Sequence, residues 1–179
     1  MSEAKRSGSG FVGYEYRDIT VPRDKEAIYV DGYENFGWTL ESRSALTIGL
    51  RSVMLKFRRD RKIRNKAELT RLQRQFDAYV NEINRMEASK VSSASIAAFI
   101  VGLIGTAFMA GSVFAVVGGM VVLCIILAIP AFAGWIIPYF LYNSTYAKKT
   151  AKVEPLIDSK YDDIYEICER GNSLLGNGD

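Results

Sequence analysis

Histidine, the side chain that most often serves as a general base, is absent from all 179 residues of this chain. Without histidine, neither a Ser-His-Asp arrangement nor a histidine metal site can form. The two cysteines, Cys124 and Cys168, lack the spacing of zinc ligands. Gly8, Gly10 and Gly13 form only a loose glycine run, without the strand-to-helix context of a nucleotide site. We therefore predict a protein that is not an enzyme and that uses no cofactor or metal ion.

Basic side chains are concentrated between residues 51 and 90, which hold 12 basic against 5 acidic residues. Such a cluster favours binding to anionic groups. Six members are candidates for contact with a partner or with lipid: Lys56, Arg58, Arg59, Arg61, Lys62 and Arg64. The alternatives are an acidic cytoplasmic protein, lipid, nucleic acid as the least expected ligand, or neutralisation within or between subunits by the acidic tail, Asp162, Asp163, Glu166 and Glu169.

A second unusual soluble segment is both acidic and aromatic, and it runs from Asp31 to Trp38. One interpretation is a helix end whose aromatic rings cover a sheet. The other is a groove for a ligand or a partner.

The middle of the chain must be embedded in a different solvent, since every residue from Val91 to Ala147 is uncharged. A helix that crosses a bilayer needs roughly 20 apolar residues. The run predicts two transmembrane helices, near Ser95–Val116 and Met120–Tyr142, with a turn at Gly118-Gly119. Two buried helices of a soluble core are the alternative, but so short a chain could not cover both on all sides.

Orientation follows from the basic residues that flank this run. Arg85 and Lys90 precede it and Lys148 and Lys149 follow it, whereas the turn carries no charge. The positive-inside rule then places both termini in the cytoplasm. We predict a multi-pass protein of the inner cell membrane, in contact with membrane lipid.

Small residues recur along the first predicted span. Every fourth position is small in the row Ala94, Ala98, Gly102, Thr106 and Ala110, and a second row contains Ala107, Gly111 and Ala115. Small residues at this spacing let helix backbones approach closely in lipid. One row can serve the hairpin itself, so two rows predict a homo-oligomer, with the first row as its candidate interface. The candidate pore-lining residues are Gly102, Gly105, Thr106 and Ser112.

Before the membrane run, an apolar stripe with heptad spacing predicts a coiled-coil helix. The stripe consists of Leu69, Leu72, Phe76, Tyr79, Ile83 and Met86, and Asn65 with Glu68 resembles a capping box at its start. A shorter stripe, Ile157, Tyr161, Ile164 and Cys168, follows the second span. Pro155 predicts a break before that second helix, and Gly171-Asn172 predicts its end. The stripes pack either on each other or between subunits, and the candidate subunit contacts are Leu72, Phe76, Tyr79 and Ile83.

The N-terminal third has the pattern of a strand, a helix and two further strands. The first strand covers Tyr14–Val21, the helix covers Arg23–Phe36 after Pro22 and closes at Gly37, and the later strands cover Trp38–Ser42 and Ser52–Arg58. This order, β-α-β-β, predicts a small two-layer α/β cap with one helix on a three-stranded sheet.

The general plan of an α/β portion, a long helix and a two-span hairpin resembles pentameric magnesium channels of the CorA type, in which Gly-Met-Asn ends the first span. This chain has Gly119-Met120-Val121 there, without the asparagine. The plan also resembles the mitochondrial calcium uniporter, whose hairpin turn carries an acidic motif, and this turn has no acidic residue. Because both motifs are missing, neither magnesium nor calcium transport is predicted for this chain.

The predicted fold class is an α-helical membrane protein with a two-span transmembrane hairpin, cytoplasmic coiled-coil helices and a small α/β cap. Its predicted segments are a disordered tail at 1–13, an α/β domain at 14–64, a coiled-coil helix at 65–90, the hairpin at 91–147 and a C-terminal helix and tail at 148–179. The predicted function is an oligomeric scaffold or regulatory subunit for a cytoplasmic partner. The alternative is a subunit of a weakly selective channel or small-solute transporter, since the lack of charge within the spans argues against proton coupling or a steeply selective cation site. An enzyme that acts on lipid ranks third.

Overall fold

The computed structural model describes residues 13–45 and 51–176. Its elements, in chain order, are β1 (Tyr14–Pro22), a 3-10 turn (Arg23–Lys25), α1 (Glu26–Glu34), β2 (Thr39–Ala45), β3 (Ser52–Asp60), α2 (Lys66–Val117) and α3 (Val121–Gly176). The predicted order of one strand, a helix and two strands is confirmed. The predicted disordered tail lies outside the described residues except for Gly13.

The sheet is antiparallel throughout, with the strand order β1-β3-β2. Tyr16 lies opposite Arg58 in the β1–β3 pair, and Leu40 lies opposite Phe57 in the β2–β3 pair. Because side chains alternate between the two faces of a strand, β3 buries Val53, Leu55, Phe57 and Arg59 on one face. Lys56 and Arg58 therefore lie on the opposite face.

Two predicted features of the last helix are wrong. The sequence predicts a break at Pro155 and an end at Gly171-Asn172, but α3 runs unbroken to Gly176 and contains Pro130, Pro138 and Pro155. A proline removes one backbone hydrogen bond and crowds the preceding turn. Val153 and Ile157 are buried on either side of Pro155, so packing holds the helix together across it.

The start of α2 also differs from the predicted capping box. An N-cap residue has an extended backbone, whereas Asn65 has a φ of 54°. The Asn65 amide donates to the Leu174 carbonyl, and the Glu68 carboxylate accepts from Arg71. Each side chain is therefore committed to a partner other than the one a capping box requires.

The described chain divides into two compact units. The first contains the residues up to Val80 and those from Asp162 onward, and the second is Asn81–Tyr161. The first unit has an aromatic core, in which the Tyr33 ring lies 4.7 Å from that of Phe57 and 6.0 Å from that of Phe76.

The second unit is a helical hairpin whose reversal lies at the predicted Gly118-Gly119 turn. The Met120 N–H bonds to the Ala115 carbonyl and the Gly119 N–H bonds to the Val116 carbonyl, at 2.9 Å each. These two bonds form a Schellman motif, which needs a left-handed residue, and Gly119 supplies it with a φ of 75°. Both α2 and α3 are long and apolar enough to cross a membrane.

Candidate functional site

Arg59, one of the six candidate binding cations, is 4% exposed. Its guanidinium donates to the Glu15 carboxylate at 2.6 Å, to the Phe36 carbonyl at 3.3 Å and to the Thr70 hydroxyl at 3.2 Å. It also lies 4.4 Å from the centre of the Trp38 ring. Alternation along β3 places Arg59 on the buried face, where it joins β1, α2 and the loop after α1. A partner protein cannot reach it there.

Glu15 completes this cluster by binding two cations at once. One carboxylate oxygen accepts from Arg59 and the other pairs with Lys66 at 2.5 Å. Burial by itself would raise the pKa of Glu15, but the hydrogen bonds and charges of Lys66 and Arg59 hold it below its ordinary value. Glu15 is therefore ionised at neutral pH, and it compensates the charge of Arg59.

A second polar group, which is partly buried, surrounds Asp77 on α2. Asp77 accepts from the Arg17 guanidinium and from the Tyr33 hydroxyl, both at 3.0 Å. Burial raises the pKa of Asp77 above its ordinary value, against the opposing effects of Arg17 and Tyr33. Burial and the charge of Asp77 also raise the pKa of Tyr33. Tyr33 is therefore a hydrogen-bond donor and not a proton source at neutral pH.

Gln73 extends the polar face of α2 by one helical turn. Its carbonyl accepts from the Trp38 indole N–H at 2.9 Å, and its buried Nε2 has no hydrogen-bond partner among the described residues. Sequence reasoning missed both Gln73 and Asp77. The available signal was their spacing of four residues, which places two polar side chains on one helix face beside the apolar stripe.

The remaining basic candidates are accessible. Lys56 and Arg58 lie on the open face of the sheet, defined here by Tyr14, Tyr16, Lys56 and Arg58. The Lys56 ammonium lies 5.2 Å from the Tyr16 ring centre and 3.3 Å from Glu41, and the Arg58 guanidinium lies 5.3 Å from the Tyr14 ring centre. Arg61, Lys62 and Arg64 are exposed in the loop between β3 and α2.

The apolar stripe of α2 is covered by the chain itself. Leu72, Phe76 and Ile83 are buried and Tyr79 is half-buried. The Phe76 ring packs edge-on against Tyr29, Tyr33 and Phe36. Tyr33, Phe36 and Trp38 of the acidic and aromatic segment are thus part of the core over the sheet. A subunit contact through the stripe stays a prediction.

The small residues of the hairpin fall on different faces. Ala94 is fully buried, Ala98 and Gly102 are half-buried, and Thr106 and Ala110 are exposed. A close approach of α2 and α3 lies outside the predicted rows. It is at Gly105 and Gly134, where a Cβ added to Gly105 would lie 2.8 Å from the Gly134 Cα.

Two of the four pore candidates lie in the seam of the hairpin, which is the surface where α2 and α3 contact each other. Gly105 contacts Gly134, and the buried Ser112 hydroxyl donates to the Cys124 carbonyl at 3.0 Å. Gly102 and Thr106 instead border an open groove of about 490 Å³, which is also lined by Phe99, Leu103, Gly134, Trp135 and Pro138. The Thr106 hydroxyl donates to the Gly102 carbonyl within the same helix.

Within the described residues, no group of three or more histidine, cysteine, aspartate or glutamate side chains is placed to hold a metal ion. Burial raises the pKa of the Cys168 thiol to about 11, which keeps it protonated and weakly nucleophilic at neutral pH.

No protein-family model, curated protein or solved structure matches this chain.

Proposed function

We propose that this chain is an oligomeric integral membrane protein that acts as a scaffold or regulatory subunit for a cytoplasmic protein. In this proposal, α2 and α3 cross the inner membrane as a hairpin, and both termini lie in the cytoplasm. The first unit then presents a binding surface to the partner. The observation that carries the proposal is the open face of the sheet, where two exposed tyrosines lie beneath two cations.

Membrane insertion is supported by the outer surface of the second unit. Its large apolar side chains point outward, including Phe99, Phe114, Ile129 and Phe140, which are 65–75% exposed. A continuous apolar surface of this kind is unstable in water and stable against lipid tails. The helices also satisfy their backbone groups internally, as a membrane span requires.

Partner binding is supported by the chemistry of the open face. Tyrosine and arginine are the residues that most often dominate protein interfaces, because each combines a large contact area with polar recognition. Tyr16 is 56% exposed beside Lys56, and Arg58 is exposed above Tyr14. A partner that presents carboxylates next to an apolar side chain would match both the cations and the rings.

The hairpin is tested by reporter fusions at residues 90 and 148. We expect both reporters to indicate the cytoplasm, because the basic residues flank only the outer ends of the uncharged run. A periplasmic signal from either fusion would overturn the proposed topology.

The binding face is tested by a photo-crosslinking amino acid at Tyr16 in living cells. We expect a discrete product that contains a second, acidic protein and that is lost when Arg58→Glu reverses the nearby charge. The matched control places the same crosslinker at Ala27, which is exposed on α1. A Tyr16 product that is unchanged by Arg58→Glu, or that contains only this chain, would contradict the proposed partner surface.

A further inference from the structure

The exposed side of α2 carries a basic groove near the start of the helix. The groove has a volume of about 520 Å³ and is lined by Lys66, Ala67, Thr70, Arg71 and Arg74. Ala67 gives it a floor without a long side chain, and the three cations surround that floor. Lys66 pairs with Glu15 and Arg71 pairs with Glu68, at 2.5 Å each, whereas no described residue forms an ion pair with Arg74. The groove is thus shaped for a bulky group and charged for an anionic one.

A complementary face lies on α3 in the same unit. Tyr165 is 71% exposed, which is unusual for a tyrosine in a folded unit. Asp162 lies three residues before it and Glu169 four residues after it, so all three share one helix face. Neither Asp162 nor Glu169 has an ion-pair partner within the described part of the chain. The face therefore presents an aromatic ring between two carboxylates.

The two faces do not satisfy each other within one chain. Arg71, Arg74, Asp162, Tyr165 and Glu169 are all exposed. Exposed ion pairs such as Arg71 with Glu68 are individually weak because solvent screens them, and they therefore exchange readily. A surface of opposite charge brought by a second molecule can replace them.

We propose that the acidic face of α3 in one copy of this chain docks into the basic groove of α2 in another copy. The Tyr165 ring fills the space above Ala67, close to the guanidinium groups of Arg71 and Arg74. Arginine over a tyrosine ring adds cation–π attraction to the apolar contact. The carboxylates of Asp162 and Glu169 neutralise the cations at the rim of the groove.

The proposed contact joins two different surfaces, so it is heterologous. A heterologous contact generates a closed ring when its rotation closes and an open filament when it does not. The contact rests on the oligomeric part of the proposed function, and it adds the surface through which the copies meet. It also provides Arg74, which has no ion-pair partner among the described residues, with an acidic surface on the neighbouring copy.

The experiment uses the full chain in lipid nanodiscs and mild detergent, with the assembly state measured by light scattering. Arg74→Glu makes the groove repel its acidic ligand, and the double change Asp162→Lys with Glu169→Lys makes the α3 face repel the groove. Each protein alone should self-associate roughly tenfold more weakly than the parent or worse, because like charges face each other at the contact. A 1:1 mixture should reassemble, since each variant complements the other at both surfaces.

Steric variants provide the matched control. Ala67→Trp fills the groove and should abolish assembly, whereas Ala27→Trp, exposed on α1 and not part of the groove lining, should leave it intact. Tyr165→Ala should weaken assembly at low and high salt alike. Far-ultraviolet circular dichroism of each variant checks that these surface changes leave the fold unaltered.

The possible failures can be told apart. A parent protein that is monomeric at every concentration would remove the oligomer from the proposed function and this contact with it. A parent that assembles while all charge and steric variants assemble equally would overturn this contact alone. A mixture that remains as dissociated as its two components would also overturn it. The contact is likewise wrong if Arg74→Glu abolishes binding of an acidic protein without changing assembly.

Discussion

The two units of this chain hold their helices together with side chains of opposite size. In the first unit, rings fill the core, and Tyr33, Phe36, Phe57 and Phe76 are fully buried. In the second unit, the backbones of Gly105 and Gly134 lie close together, and the buried positions include Ala94, Ala115 and Ala131. Large apolar side chains are present in the second unit too, but they point outward.

If the second unit lies in the membrane, as proposed, the difference follows from the solvent that each packed surface leaves. In water, burying a large ring removes apolar area from solvent and is strongly favourable. Between helices in lipid, a large side chain gains nothing over its contact with the acyl chains, so small residues that bring backbones together are favoured. Pro138 has no backbone N–H, so the carbonyl of Gly134, four residues earlier in α3, lacks its usual helical hydrogen bond. The Gly134 carbonyl oxygen lies 3.2 Å from the position of a Cβ on Gly105.

Buried polar groups differ in the same way. The first unit buries Arg59 and compensates it with an acid, a carbonyl, a hydroxyl and an indole ring. In the seam of the second unit, the buried polar group is the neutral Ser112 hydroxyl, which donates to a backbone carbonyl. A charge can be buried only where several partners surround it, and two packed helices offer fewer such partners than a sheet covered by helices.

The largest expected effect is the loss of stability when a ring is removed from the aromatic core of the first unit. Phe76→Ala should destabilise the first unit by about 3–5 kcal/mol, because it leaves a cavity among Tyr29, Tyr33 and Phe36. Phe114→Ala, at a position that is 75% exposed in the second unit, should change its stability by less than about 1 kcal/mol in lipid. Urea unfolding of the first unit can be followed by Trp38 fluorescence in a Trp135→Phe background, and unfolding of the second unit by far-ultraviolet circular dichroism. Equal losses in the two variants would contradict the contrast between the units.

The second prediction tests the glycine seam. Gly105→Ala places a methyl group 2.8 Å from the Gly134 Cα and should force α2 and α3 apart, at a cost of about 1–3 kcal/mol. Gly102→Ala is the matched control, because its nearest neighbour would be the Pro138 side chain at an ordinary 3.9 Å. Spin labels at the exposed positions Val91 and Ala151, in a background without Cys124 and Cys168, report the separation. If Gly105→Ala and Gly102→Ala give the same distance distribution, the seam does not depend on backbone contact.

The smallest expected effect concerns the buried ion cluster and its pH dependence. Glu15 has a lowered pKa in the folded state, so its stabilisation is fully present above its ordinary value of 4.5 and is lost as the pH falls through the folded value. Glu15→Gln should cost about 1 kcal/mol at pH 7 and should flatten the stability profile below pH 4.5. Asp77 acts in the opposite direction, since its raised pKa lowers stability as the pH rises through the folded value. The difference between the parent and Glu15→Gln profiles isolates Glu15, and parallel profiles would show that the ion pairs do not contribute.

Part of this structure follows from local pattern. The heptad stripe correctly predicts the buried face of α2 at Leu69, Leu72, Phe76 and Ile83, because a helical period of 3.6 residues places these positions together in any helix. The turn at Gly118-Gly119 could also be predicted from the sequence, since only glycine adopts the required left-handed backbone without strain. The interpretation of Asp31–Trp38 as a helix end over a sheet also agrees with the burial of its rings.

Other features could not be read from neighbouring residues. The basic cluster is uniform in sequence, yet Arg59 is buried while Arg58 next to it is exposed, because adjacent residues of a strand point to opposite faces. Local chemistry predicts a break at Pro155, and burial of Val153 and Ile157 on either side outweighs that preference. The small-residue rows predict close packing in the hairpin, but they do not include Gly105, which the sequence suggests only as a pore candidate.

The sequence by itself determined the order of strands and helices, where the chain reverses and which stretch is apolar enough for lipid, since each depends on residues within a few turns of one another. The tertiary structure decided the strand order β1-β3-β2, the partners of Arg59 and Asp77, and the contact between Gly105 and Gly134. Those contacts join residues on different elements that lie far apart in the chain, as Arg17 and Asp77 do at a separation of 60 positions. Their geometry is set by the packing of whole elements, which no local spacing encodes.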